Sequence, residues 1–171
     1  LAHAHALGVV HRDIKPANVM IDLPAGQIKL TDFGVAGLAD LSRTRTGVVL
    51  GTPHYMAPEQ LAGAPADARS DLYSLGVLLF QLLTGRLPHE QASLGELLRA
   101  VAREPAPDLR SLRPELSPAL AAVVAQALQK QPARRPADAN RLADALVDLA
   151  QPPGAVAPKA PEPGFKATPG A

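Results

Sequence analysis

The sequence predicts an α+β fold that is mostly helical, a bundle of helices carrying one small β-hairpin. Three observations lead there. Residues 69–84 form an apolar run of helical spacing that is hydrophobic almost all round. Two short strand-like runs, 19–22 and 27–31, flank the turn-forming Leu23-Pro24-Ala25-Gly26. Amphipathic helical patterns then follow one another as far as Leu149, where the pattern stops.

Leu1 to Leu7 reads as the end of a helix stopped at Gly8, since glycine tolerates the left-handed turn that closes helices. His3 and His5 are two apart and do not share a helix face, so they are expected to be partly exposed side chains and not a metal pair. The hairpin follows, its turn supplied by Pro and Gly between β-branched and apolar residues. Residues 35–56 have no periodicity, and an irregular stretch of that length inside a compact domain is usually functional or disordered. In the 69–84 helix, Leu72, Leu75, Gly76, Leu79 and Leu83 share one face while Val77, Leu78 and Phe80 fill others. A helix of this kind is buried and should be the axis of the domain. Asp71 near its start must then be hydrogen-bonded, or be favoured by the helix dipole.

Gly85 and Pro88 end that helix. Ser93 caps a helix over 94–102 with Glu96 at the capping-box position. Pro105, Pro107 and Pro114 mark a loop, and Ser117-Pro118 opens a helix to Lys130. A last helix spans about 137–149, with Leu142, Ala145, Leu146 and Leu149 on one face. Residues 151–171 hold six prolines and three glycines, which describes an extended linker or tail, set at 150–171.

Composition narrows the function. A net charge of +1 over 171 residues argues against a nucleic-acid or anionic-lipid surface. The absence of cysteine removes disulfides and thiolate metal sites and fits a reducing compartment. The richest apolar run, 75–83, is far short of the roughly 20 residues a bilayer span needs. A cytoplasmic location is expected, with membrane association only through an anchor outside this segment. The chain begins at Leu1, so missing targeting signals carry little weight.

The chemistry concentrates in His11-Arg12-Asp13-Ile14-Lys15-Pro16-Ala17-Asn18. A carboxylate that takes a proton from a hydroxyl needs a loop that fixes its direction, and Asp13 is the candidate. Lys15 can reach the same centre as a point charge for phosphate oxygens. The amide oxygen of Asn18 suits a hard divalent cation. Asp32-Phe33-Gly34 follows the second strand, fourteen residues beyond Asn18, and Ala57-Pro58-Glu59 closes the irregular stretch.

In this order and spacing the motifs resemble the protein kinase family, over residues 1–149. Lys15 resembles the serine/threonine branch, and the Ala-, Arg- and Pro-rich composition resembles its bacterial, eukaryotic-like members. The resemblance implies a kinase C-terminal lobe with the hairpin at the cleft, ATP and Mg2+ as cofactors, and protein Ser/Thr hydroxyls as acceptors. It implies Asp13 and Lys15 as catalytic residues, with Asn18 and Asp32 holding Mg2+. Met20 would lie beneath the base and Thr31 beside the phosphates. Thr52, in Gly51-Thr52-Pro53-His54-Tyr55-Met56, would belong to the loop that docks the substrate. Thr44 and Thr46 would be sites of regulatory phosphorylation, including self-phosphorylation, with Arg12 a receiving cation. Glu59 would pair with Arg135, and Asp71 would accept bonds from the catalytic-loop backbone.

The departures point to a fragment. No glycine-rich loop, strand lysine or helical glutamate precedes the octet, so the N-terminal lobe and hinge are absent from this sequence. The chain alone is expected to be inactive, with weak magnesium-dependent nucleotide binding. Two alternatives follow: a non-catalytic kinase-like interaction module, and a small-molecule phosphotransferase of the aminoglycoside-kinase type. Lys15 and the 52–59 stretch argue against the second.

Overall fold

The computed structural model describes residues 1–33 and 53–150. Gly34, Thr44, Thr46, Thr52 and the tail from 151 onward lie outside the described residues. Helix α1, Ala2–Ala6, ends where Gly8 takes a φ of 74°. A short 3-10 turn, Pro16–Asn18, leads into strand β1, Val19–Asp22, which pairs antiparallel with β2, Gln27–Leu30. The register sets Val19 against Leu30 and Asp22 against Gln27. At the turn the Asp22 carboxylate accepts from Ala25 N at 3.1 Å, and Gly26 adopts a φ of 62°.

After a 3-10 turn at Pro53–Tyr55 come α2, Pro58–Leu61, and the axial helix α3, Ala68–Thr84. The latter starts one residue before the expected boundary because Asp67 caps it, accepting from Arg69 N at 2.8 Å and Ser70 N at 3.2 Å. Helices α4, Leu94–Arg103, α5, Leu109–Leu112, α6, Pro118–Ala127, and α7, Ala139–Ala150, follow among the described residues. Helix α6 stops three residues earlier than its apolar spacing suggests, and α7 begins two residues later and ends one later. The four-residue helices α2 and α5 were not anticipated, since four residues cannot display a helical period.

The core forms around α3. Tyr73, Val77 and Phe80 pack with Leu97, Val101, Leu109, Val124 and Leu128. A second cluster joins Leu72 to Ala139 and Leu142, with Leu1 and Ala2 against it, and so docks α1 onto α7. Gly76 lets α3 and α6 approach closely, because a Cβ there would lie 2.9 Å from Ala127 Cβ. No helix among the described residues is long and apolar enough to cross a membrane.

Candidate active site

The axial helix positions the octet through one carboxylate. Asp71 is 1% exposed and accepts from His11 N and Arg12 N, each at 2.8 Å. It takes a third bond, 2.8 Å long, from His5 Nε2 on α1. Both histidines keep some exposure, as expected, but they part company: His3 is exposed, while the half-buried His5 turns inward to complete a buried carboxylate's partners. The i, i+2 offset of the pair is what separates them.

Asp71 sustains an unusual backbone. Arg12 has a φ of 68°, a left-handed conformation that costs a side-chain-bearing residue about 1–3 kcal/mol and persists only where its surroundings over-determine it. The next peptide is tied by Asp13 N donating to His11 Nδ1 at 3.3 Å. With Nδ1 an acceptor, His11 must carry its proton on Nε2, which donates to Thr31 O at 2.9 Å. His11 is thus a neutral, fully buried brace between the octet and the segment after β2. The Phe33 ring packs on it with centroids 4.5 Å apart. This brace was missed in the sequence, where His11 and Phe33 stand 22 positions apart and only their motifs are visible.

The polar side chains converge on Asp13. Lys15 Nζ lies 2.8 Å from its Oδ2. Asn18, 5% exposed, donates through Nδ2 to Asp13 O at 2.7 Å and to Asp13 Oδ2 at 3.0 Å, leaving its amide oxygen for another partner. Thr31 N donates to Asn18 O at 3.0 Å, which draws the start of the Asp32 segment beside the octet. Asp32 itself is exposed with a φ of 60°. Met20, also exposed, lies on β1. An amide oxygen and a carboxylate are hard oxygen donors of the kind Mg2+ takes, with phosphate and water oxygens completing its octahedron. Among the described residues no group of three or more His, Cys, Asp or Glu could hold a metal ion.

A second anchor lies behind the 53–59 segment. Arg135 Nη1 donates to Glu59 Oε1 at 2.6 Å and Nη2 to Oε2 at 2.7 Å, a two-pronged pair. Arg135 also donates to the carbonyls of Gln129, Arg69 and Lys130, and its guanidinium lies 5.0 Å from the centre of the Tyr73 ring. Burial pushes the Glu59 carboxyl up, but bonds from Arg135 and Ser70 outweigh it and hold the group below its ordinary value. Pro53 and His54 border a cleft of about 260 Å³ with Gln91, Ser93, Leu94 and Leu97.

The family model for the protein kinase domain matches residues 1–147. Serine/threonine-protein kinase pkn3 of Myxococcus xanthus is 45% identical over 151 residues, 82% of this chain and 27% of the relative. Serine/threonine-protein kinase PknJ of Mycobacterium tuberculosis is 47% identical over 152 residues, 85% of this chain and 26% of the relative. A crystal structure of the Mycobacterium tuberculosis PknI kinase domain superposes with a TM-score of 0.63 at 32% identity, covering 87% of this chain and 49% of that one. The chain thus spans about a quarter of these curated relatives and about half of that kinase domain. Its helical body with one antiparallel hairpin corresponds to a kinase C-terminal lobe. The chain belongs to the protein kinase family, among its bacterial, eukaryotic-like members.

Proposed function

We propose that the intact protein transfers the γ-phosphoryl group of ATP to serine or threonine hydroxyls of proteins. The observation that carries this reading is the cluster of Asp13, Lys15 and Asn18 within 3.0 Å of one carboxylate, braced by the buried Asp71. Asp13 accepts the proton as the substrate hydroxyl oxygen bonds to the γ-phosphorus and the bond to the ADP oxygen breaks. Lys15, already held at that carboxylate, faces the charge that builds on the transferred oxygens. Asn18 and Asp32 would hold Mg2+, which when bound would neutralise phosphate charge. Met20 and Thr31 border the nucleotide. Little covalent work falls to the protein, so direction and charge decide the rate.

A protein acceptor is supported by the segment at Pro53–Tyr55, anchored through Glu59 and Arg135. Thr44 and Thr46 are the proposed sites of self-phosphorylation, each adding about −1.5 to −2 charges for Arg12 to receive. Mass spectrometry of the active protein should find phosphate on at least one of them.

The test of the function is transfer of radiolabelled phosphate from ATP to a basic protein substrate, with Asp13→Asn as the blank. Transfer by the intact protein well above that blank is expected. Equal signals from the two would refute the reading.

A further inference from the structure

Gln60 is 9% exposed, one residue past Glu59, on the short helix α2. Its Nε2 donates to Arg12 O at 3.1 Å, and its Oε1 accepts from Ala57 N at 2.9 Å. The first bond falls on the peptide joining Arg12 to Asp13, at the left-handed residue whose φ is 68°. Asp71 and His11 hold the neighbouring N–H groups, so among the described residues Gln60 is the side chain that holds this carbonyl. The second bond holds the peptide that closes the 53–57 segment. One carboxamide therefore spans from the loop carrying the proton acceptor to the segment proposed to hold the substrate.

We infer that Gln60 is a positioning residue, which sets the direction of Asp13 by fixing the Arg12–Asp13 peptide and couples that direction to the seating of the 53–57 segment. This rests on the reading of Asp13 as the proton acceptor. The chemistry demands a carboxamide, because the same group must donate at one end and accept at the other. An ionised glutamate offers acceptors only and sets a carboxylate against the Arg12 carbonyl. A methionine of similar length offers neither bond. A protonated glutamate, with one O–H and one carbonyl oxygen, restores both.

The test compares the intact wild-type protein with Gln60→Met and Gln60→Glu. Gln60→Met should lower kcat about tenfold, the order that a lost hydrogen bond supplies, with the KM for ATP within about twofold. Gln60→Glu should be as impaired at pH 8. It should recover toward wild type as the pH is lowered to 6, because burial raises the carboxyl pKa and the protonated form mimics the amide. Taking the ratio to wild type at each pH removes every pH dependence the two proteins share. Gln60→Met, with nothing to titrate, should show no recovery. A purely structural role would lower the melting temperature of both variants without this pH-dependent split. A kcat for Gln60→Met within twofold of wild type overturns the inference. A crystal structure of Gln60→Met provides an arm that does not depend on turnover: Arg12 should leave its left-handed φ and Asp13 should turn with it. An unmoved Arg12–Asp13 peptide refutes the positioning role whatever the transfer assay gives. Absent Asp13-dependent transfer in wild type alongside a moved peptide would refute the kinase reading and leave the coupling in place.

Discussion

Replacing Arg135 with alanine in the intact protein removes the buried half of an ion pair. The Arg135 side chain is 0% exposed and that of Glu59 is 15%, so truncation leaves a carboxylate with little water to solvate it. Breaking one side of a buried pair costs about 3–5 kcal/mol. Three further acceptors, the carbonyls of Gln129, Arg69 and Lys130, also lose their donor, which places the expectation at the upper end. For a domain of this size each kcal/mol moves the melting temperature about 2–4 °C, so calorimetry should show a drop of about 10–20 °C. Glu59→Gln in the same background separates the contributions. It removes the stranded charge, so the double variant should recover part of the loss but not the part due to the three carbonyls. Because Ser70 also donates to Glu59, at 2.7 Å, and so eases the stranded charge, the recovery should grow if Ser70 is replaced by alanine. A melting temperature for Arg135→Ala within 3 °C of wild type would refute this reasoning, as would a double variant no better than the single one.

Asp13→Asn should lower kcat about 10²- to 10⁴-fold with little change in the KM for ATP, whereas Asp32→Asn should chiefly raise the KM for magnesium–ATP; steady-state kinetics with both substrates varied separates the two. Gly76→Ala should destabilise by about 1–3 kcal/mol, despite alanine's better helix propensity, because its Cβ would meet Ala127 Cβ at 2.9 Å; chemical denaturation reads the change, and Ala127→Gly should relieve it. His89 is 6% exposed, and burial, followed by the nearby Lys130 charge, pushes its pKa down to about 4. Its unfolded form binds the proton first, so its contribution is complete above about pH 6.5 and is lost as pH falls toward 4. Denaturation midpoints measured across that window should fall more steeply for wild type than for His89→Gln.

Local residue chemistry carried most of the fold and the identities of the site. The 69–84 run could only be a buried helix, Ser93 and Ser117 mark helix starts, and Leu23 to Gly26 can turn a hairpin, whereas the Asp67 cap that opens the axial helix came from the structure. The octet, the Asp32 tripeptide and Ala57-Pro58-Glu59 are contiguous strings, so their spacing is legible without coordinates. What the string could not show is how buried polar atoms are satisfied across it. That His5 turns to Asp71 while His3 faces outward depends on how α1 docks against α3 and α7. The neutral His11 brace, with its proton on Nε2, depends on the β-hairpin returning Thr31 and Phe33 to the octet. Gln60 reads as an ordinary polar residue of a short helix, and nothing nearby in sequence reveals that Arg12, 48 positions earlier, presents its carbonyl there. Periodicity reports which face of an element is apolar, because that is a property of neighbours along the chain. Hydrogen-bond partners of buried groups are chosen only when distant segments close together and exclude water, so they belong to the tertiary structure.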